Sequence, residues 1–134
     1  AGTEHKKEII KTLQKKGHVL INNGTDSSES VDYPDHIHPV AVQVSNKKSD
    51  IGIIICGSGN GANMTANKHK NIRSALCWNT EIAELSRAHN NANILSIPSR
   101  FVSISEAKKI VKIFLKTKFE GGRHLKRINK IPKK

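Results

Sequence analysis

Residues 51–56, IGIIIC, have no polar side to turn towards water. A short β-branched run that is apolar on both faces is the pattern of a strand buried in a parallel sheet, with helices above and below it. Its last residue, Cys56, drops straight into GSGNG, with glycines at 57, 59 and 61, and then into a helix start, NMTANK. The rest of the chain repeats that alternation. Helical periodicity covers 4–17, with Ile9, Ile10 and Leu13 on one stripe and Gly17 as its stop. It returns at 34–45, with Ile37, Val40, Ala41 and Val44 on one face, and at 79–90, capped by Asn79 or Thr80. Further helices are predicted at 103–118, capped by Ser103 or Ser105, and within 121–131. Strands are predicted at 18–22, 50–56, 72–77 and 92–98.

Strands alternating with helices imply an α/β fold with a parallel sheet and helices on both faces. Without repeats or a linker, residues 1–134 read as one domain, long enough to bury a core without staples. A doubly wound fold opens on a strand, yet residue 1 stands at the mouth of a helix. Either that helix is an addition or a leading strand precedes it.

No run reaches transmembrane length and no signal-peptide pattern opens the chain, so a soluble cytoplasmic protein is expected, with no membrane partner. Cys56 and Cys77 each end an apolar run and form no CxxC, which favours reduced thiols over a disulfide. The net charge of +12 raises nucleic acid as a partner. The lysines, however, are scattered along helical faces, and with 4% aromatic residues there is no platform for stacking bases. A solvated lysine-rich surface and no nucleic acid is the expectation.

The glycine turn lies where open α/β sheets bind ligands, at the carboxyl end of a strand. Gly57, Gly59 and Gly61 allow backbone N–H groups to converge on an anion or a developing oxyanion; the plain alternative is a tight turn without a ligand. No GK[ST] follows, so it is not a P-loop, and it only approaches GxGxxG. Cys56 beside that turn reads as a low-pKa base or nucleophile, against a small buried hydrophobe. Cys77 ends a similar run without a glycine nest and reads as structural. His89 and Asn90 close a helix, where a histidine serves equally as a cap or as an acid–base group. Arg123 and Arg127, at i and i+4, share a helix face beside His124 and with Arg100 would clamp a phosphate; the alternative is a solvated basic tail. Tyr33, in the loop sequence VDYP, suits packing and ligand contact equally. The histidines show no metal spacing, so no metal and no cofactor is expected.

Together DYP, CGSGNGANMTANK, IRSALC, SRAHNNANIL and FEGGRHLKRI closely resemble the type B ribose-5-phosphate isomerases, relatives of the galactose-6-phosphate isomerase subunits. The likeness runs in order from about Gly2 to Ile131. It implies a Rossmann-like αβα sandwich and a homodimer or dimer of dimers, with residues 119–134 reaching across to the partner. It implies metal-free interconversion of ribose 5-phosphate and ribulose 5-phosphate through an enediolate. Cys56 would then be the base between C1 and C2. The loop Gly57, Ser58, Gly59, Asn60 and Gly61 would hold the enediolate oxygen, with Ser58 assisting at a hydroxyl. His89 would open the sugar ring, Asn90 would bind hydroxyls, and Tyr33 would line the site. Arg100, Arg123 and Arg127 would hold the phosphate. The resemblance further implies a strand and an Asp-His pair ahead of Ala1-Gly2, roughly eight to ten residues in all. Without that pair the alternative is a homologue that binds a sugar phosphate without turning it over.

Overall fold

The computed structural model describes residues 2–15 and 32–133. The strand expected over 18–22, the helix stop at Gly17 and most of the turn-rich run before Tyr33 lie outside the described residues. The order of elements is α1 (Thr3–Lys15), α2 (Tyr33–Ser45), β1 (Gly52–Cys56), α3 (Asn60–Ala66), β2 (Ser74–Leu76), α4 (Thr80–Ala88), β3 (Ile94–Pro98), α5 (Ile104–Lys116) and α6 (Arg123–Ile128).

The three described strands pair in parallel in the order β1-β3-β2. Gly52 lies opposite Ile94 and Cys56 opposite Pro98, while Ser74 also registers with Ile94 from the other side. Parallel neighbours require each connection to cross the sheet, and α3 and α4 supply those crossovers. All five residues of β3 are buried. Its side chains alternate between two cores, as a period of two demands. Leu95 and Ile97 join Ile9, Leu13, Ile110 and Phe114 beneath α1 and α5. Ile94 points the other way, to Ile37, Ala41, Val44 and Ile54 under α2 and α3. Fully burying each of these large apolar side chains stabilises the fold by about 1.5–3 kcal/mol. The sheet is therefore covered on both faces, as the two-sided apolar runs require.

Sequence caps set the helix boundaries. The Asn79 side chain accepts from the Ile82 N–H at 2.9 Å, and the Ser103 hydroxyl from the Glu106 N–H at 3.0 Å, which decides both pairs of candidate caps. Among the described residues no helix is long and apolar enough to cross a membrane.

Candidate active site

At the carboxyl edge of the sheet the turns after β1 and β3 are tied together. The Ser99 N–H donates to the Cys56 carbonyl at 2.9 Å, and the Arg100 N–H to the Gly57 carbonyl at 3.0 Å. Those bonds lay the Arg100 side chain across Gly57, where a Cβ would stand 3.0 Å from Nε. The next carbonyl is anchored from within the sheet. The buried Ser96 hydroxyl donates to Gly59 O at 3.0 Å. Gly59 has φ +77°, and a Cβ there would meet Leu76 Cδ1 at 2.5 Å, so both conformation and space demand glycine. Gly61 has a different reason: the ring and hydroxyl of Tyr33 occupy the space a Cβ would need. Ser58 and Asn60 are exposed at the lip, with the Ser58 hydroxyl accepting from the Asn60 N–H at 3.3 Å.

Tyr33 is thus brought to the glycine turn, but not from a loop. It is the first residue of α2, because Pro34 has no N–H to satisfy and a φ suited to the first helical turn. Cys56 is half-buried at the end of β1. Burial pushes its thiol above the usual value. Cys77 is buried behind β2 and pushed up to about 11, mainly by burial, as befits a structural thiol.

A second group forms around the end of α4. His89 is the C-cap residue, with its N–H donating to Leu85 O at 2.9 Å, and Asn90 follows on the surface. The Glu120 N–H donates to Ala88 O at 2.9 Å and docks the C-terminal segment there. Gly121 and Gly122, both at positive φ, then turn the chain into α6. Helix α6 exposes Arg123 and Arg127 at i and i+4 and buries His124. The His124 ring stacks on His89, centroids 4.3 Å apart and planes 11° from parallel. Glu120 Oε1 lies 3.8 Å from His89 Nε2 and 3.7 Å from His124 Nε2. Burial, then the His89 ring and Arg123, hold His124 below the usual histidine range, against the pull of Glu120.

These three side chains bring donor atoms within 4.8 Å of one another. A metal ion must lie near the plane of each imidazole it binds, and planes only 11° apart do not meet within bonding reach.

The two groups occupy opposite edges of the sheet. Helix α4 runs against the strands, and its end leads into the amino end of β3, where Asn93 O accepts from the Gly52 N–H at 2.9 Å. Cys56, by contrast, is at the carboxyl end of β1. Tyr33, Cys56, the loop 57–61 and Arg100 gather at one edge; His89 and Asn90 sit near the other, with Arg123 and Arg127 on the helix docked there. Sequence reading missed Glu120 and Ser96. The one polar residue inside ILSIP was a readable signal for Ser96, whereas the placing of Glu120 depends on a fold-back after α5.

The chain is similar to proteins of one family across nearly its whole length. The family model described as ribose/galactose isomerase matches residues 1–131. Ribose-5-phosphate isomerase B of Escherichia coli is 43% identical over 126 residues, covering 94% of this chain and 85% of the relative. A probable ribose-5-phosphate isomerase B of Mycoplasma genitalium is 46% identical, covering 97% and 87%. Among solved structures, the Clostridium thermocellum ribose-5-phosphate isomerase B superposes with a TM-score of 0.95 at 46% identity, covering 97% of this chain and 88% of that one. The Mycoplasma genitalium enzyme, solved with bound ribulose-5-phosphate, superposes with a TM-score of 0.93 at 45% identity, covering 97% and 87%.

Proposed function

This chain belongs to the ribose/galactose isomerase family, and on that premise we propose that it interconverts ribose 5-phosphate and ribulose 5-phosphate. The observation that carries the reading is the thiol of Cys56 at the mouth of β1, with a glycine turn and the Arg100 guanidinium gathered beside it. Aldose–ketose isomerisation needs one base with access to two adjacent carbons, and preorganised donors for the oxyanion that forms between them. Cys56 removes the proton from C2 and returns it to C1, without a metal. Backbone amides of Gly57 to Gly61 hold the enediolate oxygen, and the hydroxyl of Ser58 and the side chain of Asn60 lie at the lip to meet the sugar. Tyr33 closes the wall behind Gly61, and Arg100 takes the phosphate.

His89 opens the furanose ring and Asn90 binds sugar hydroxyls, while Arg123 and Arg127 complete the phosphate clamp. Since the ring-opening histidine and the base occupy opposite edges of one chain, we place the complete site between two copies, with residues 119–134 at the contact. That fits a dimer whose self-complementary interface builds two sites.

Conversion of ribose 5-phosphate by the full-length protein tests the reading, with Cys56→Ala beside it. The variant is expected to lose at least 10²-fold in kcat while still binding the sugar phosphate. Unchanged kinetics would remove Cys56 from its role. A wild-type protein that binds ribose 5-phosphate yet never turns it over would leave a binding subunit in place of an enzyme.

A further inference from the structure

We propose that His124 is a positioning residue for His89: the two stacked rings, with Glu120 between their edges, form a pair in which the buried His124 stays neutral and fixes the plane of His89. The inference rests on the reading of His89 as the ring-opening group. Two imidazolium rings stacked 4.3 Å apart repel, so the first proton on the pair opposes a second. The surroundings decide which ring takes it. Within one copy the His124 side chain is 10% exposed and that of His89 38%, and a charge is held at lower cost on the less enclosed ring.

The charged and titratable neighbours reinforce that choice. From α6, Arg123 and Arg127 act on His124 and disfavour its charge, and His89 does the same from the end of α4. Glu120, from the segment between α5 and α6, stands at nearly equal distance from both Nε2 atoms and supplies one anion for whichever ring is charged. Burial of His124 acts in the same direction as the arginines. His124 is thereby the neutral member, and its flat face fixes the plane of His89.

The chemistry requires such a donor. In ring opening the C1–O4 bond breaks, O4 takes a proton from His89, and the O1 hydroxyl proton leaves through solvent to restore the imidazolium. The ketose, whose C5 oxygen carries the phosphate, cannot close a five-membered ring and bypasses this step. The pair therefore acts on the aldose direction.

The test compares pH profiles of kcat/KM from ribose 5-phosphate and from ribulose 5-phosphate for the full-length wild type, His124→Phe, His124→Ala, Glu120→Gln and His89→Asn. His124→Phe keeps the stack and, since His124 is the neutral member, removes no charge. Its His89-dependent limb is expected to stay at the wild-type pH, whereas His124→Ala, which loses the stack, is expected to lower kcat/KM with the aldose by about tenfold or more and leave the ketose unchanged. Glu120→Gln removes the anion and is expected to move the same limb to lower pH. A limb that moves in His124→Phe, or equal losses with both substrates in His124→Ala, would overturn the pairing, while a lost aldose limb in His89→Asn would keep the ring-opening role. If His124→Phe does not fold, an unmoved limb in Glu120→Gln is enough to overturn it. Unaltered aldose kinetics in His89→Asn would remove the reading beneath the inference as well.

Discussion

Single residues carry two opposite lessons about thiols. Cys56 and Cys77 both end apolar strand sequences and burial raises both, yet only Cys56 faces the glycine turn. If Cys56 is the base, its thiolate forms above the usual thiol range, so kcat/KM should still be climbing above pH 9. A profile already level at pH 8 would show another group in that role. For Cys77 the consequence is stability. Its thiol titrates near 9.0 unfolded and at about 11 folded, so the fold favours the protonated form. That contribution is full below pH 9 and lost as pH rises through 11, about 3 kcal/mol in all. Urea midpoints of the wild type and Cys77→Ala should converge between pH 8 and 11, and parallel curves would refute the assignment.

At the scale of elements, the turn after β1 holds its shape because the sheet anchors it. Ser96, buried in the middle of β3, donates to Gly59 O. Ser96→Ala leaves that carbonyl without its partner at a cost of about 1–3 kcal/mol, and loosens the amides that meet the substrate. Activity should fall further than the loss of folding stability explains, measured well below the thermal midpoint. The helix caps are simpler. Asn79→Ala and Ser103→Ala should each destabilise by about 1 kcal/mol in urea unfolding and leave KM unchanged. Both caps were legible beforehand as a pair of candidates, since Asn, Ser and Thr are the residues that satisfy orphan N–H groups. Choosing within each pair depended on where the preceding turn releases the backbone.

For the whole molecule, the separation of the two groups is itself a prediction. With ribose 5-phosphate as substrate, neither Cys56→Ala nor His89→Ala should be active alone. Mixed in equal amounts after unfolding and refolding, they form hybrids in half of the dimers, each with one intact site, so about a quarter of wild-type activity should return. No recovery from hybrids verified by mass spectrometry would mean that one chain supplies both groups. The first helix shows the same dependence on wider context. Gly2, at φ +87°, lies against Ile55 and Ser99, so the start of α1 docks at the carboxyl edge beside the turns of the candidate site.

The amino-acid sequence alone determined the α/β alternation, a strand within 50–56, the pairs of candidate helix caps and the turn after Cys56. Each of these follows from side-chain period or backbone sterics within a few residues. Arg123 and Arg127 were legible on one face for the same local reason. What only the tertiary structure decided is which of these pieces meet. The stack of His89 on His124, the ring of Tyr33 over Gly61, and the Glu120 carboxylate between two histidines join segments up to dozens of residues apart, and no local pattern encodes their contact. The opposite placing of Cys56 and His89 is decided in the same way, by strands running parallel and helices running back between them.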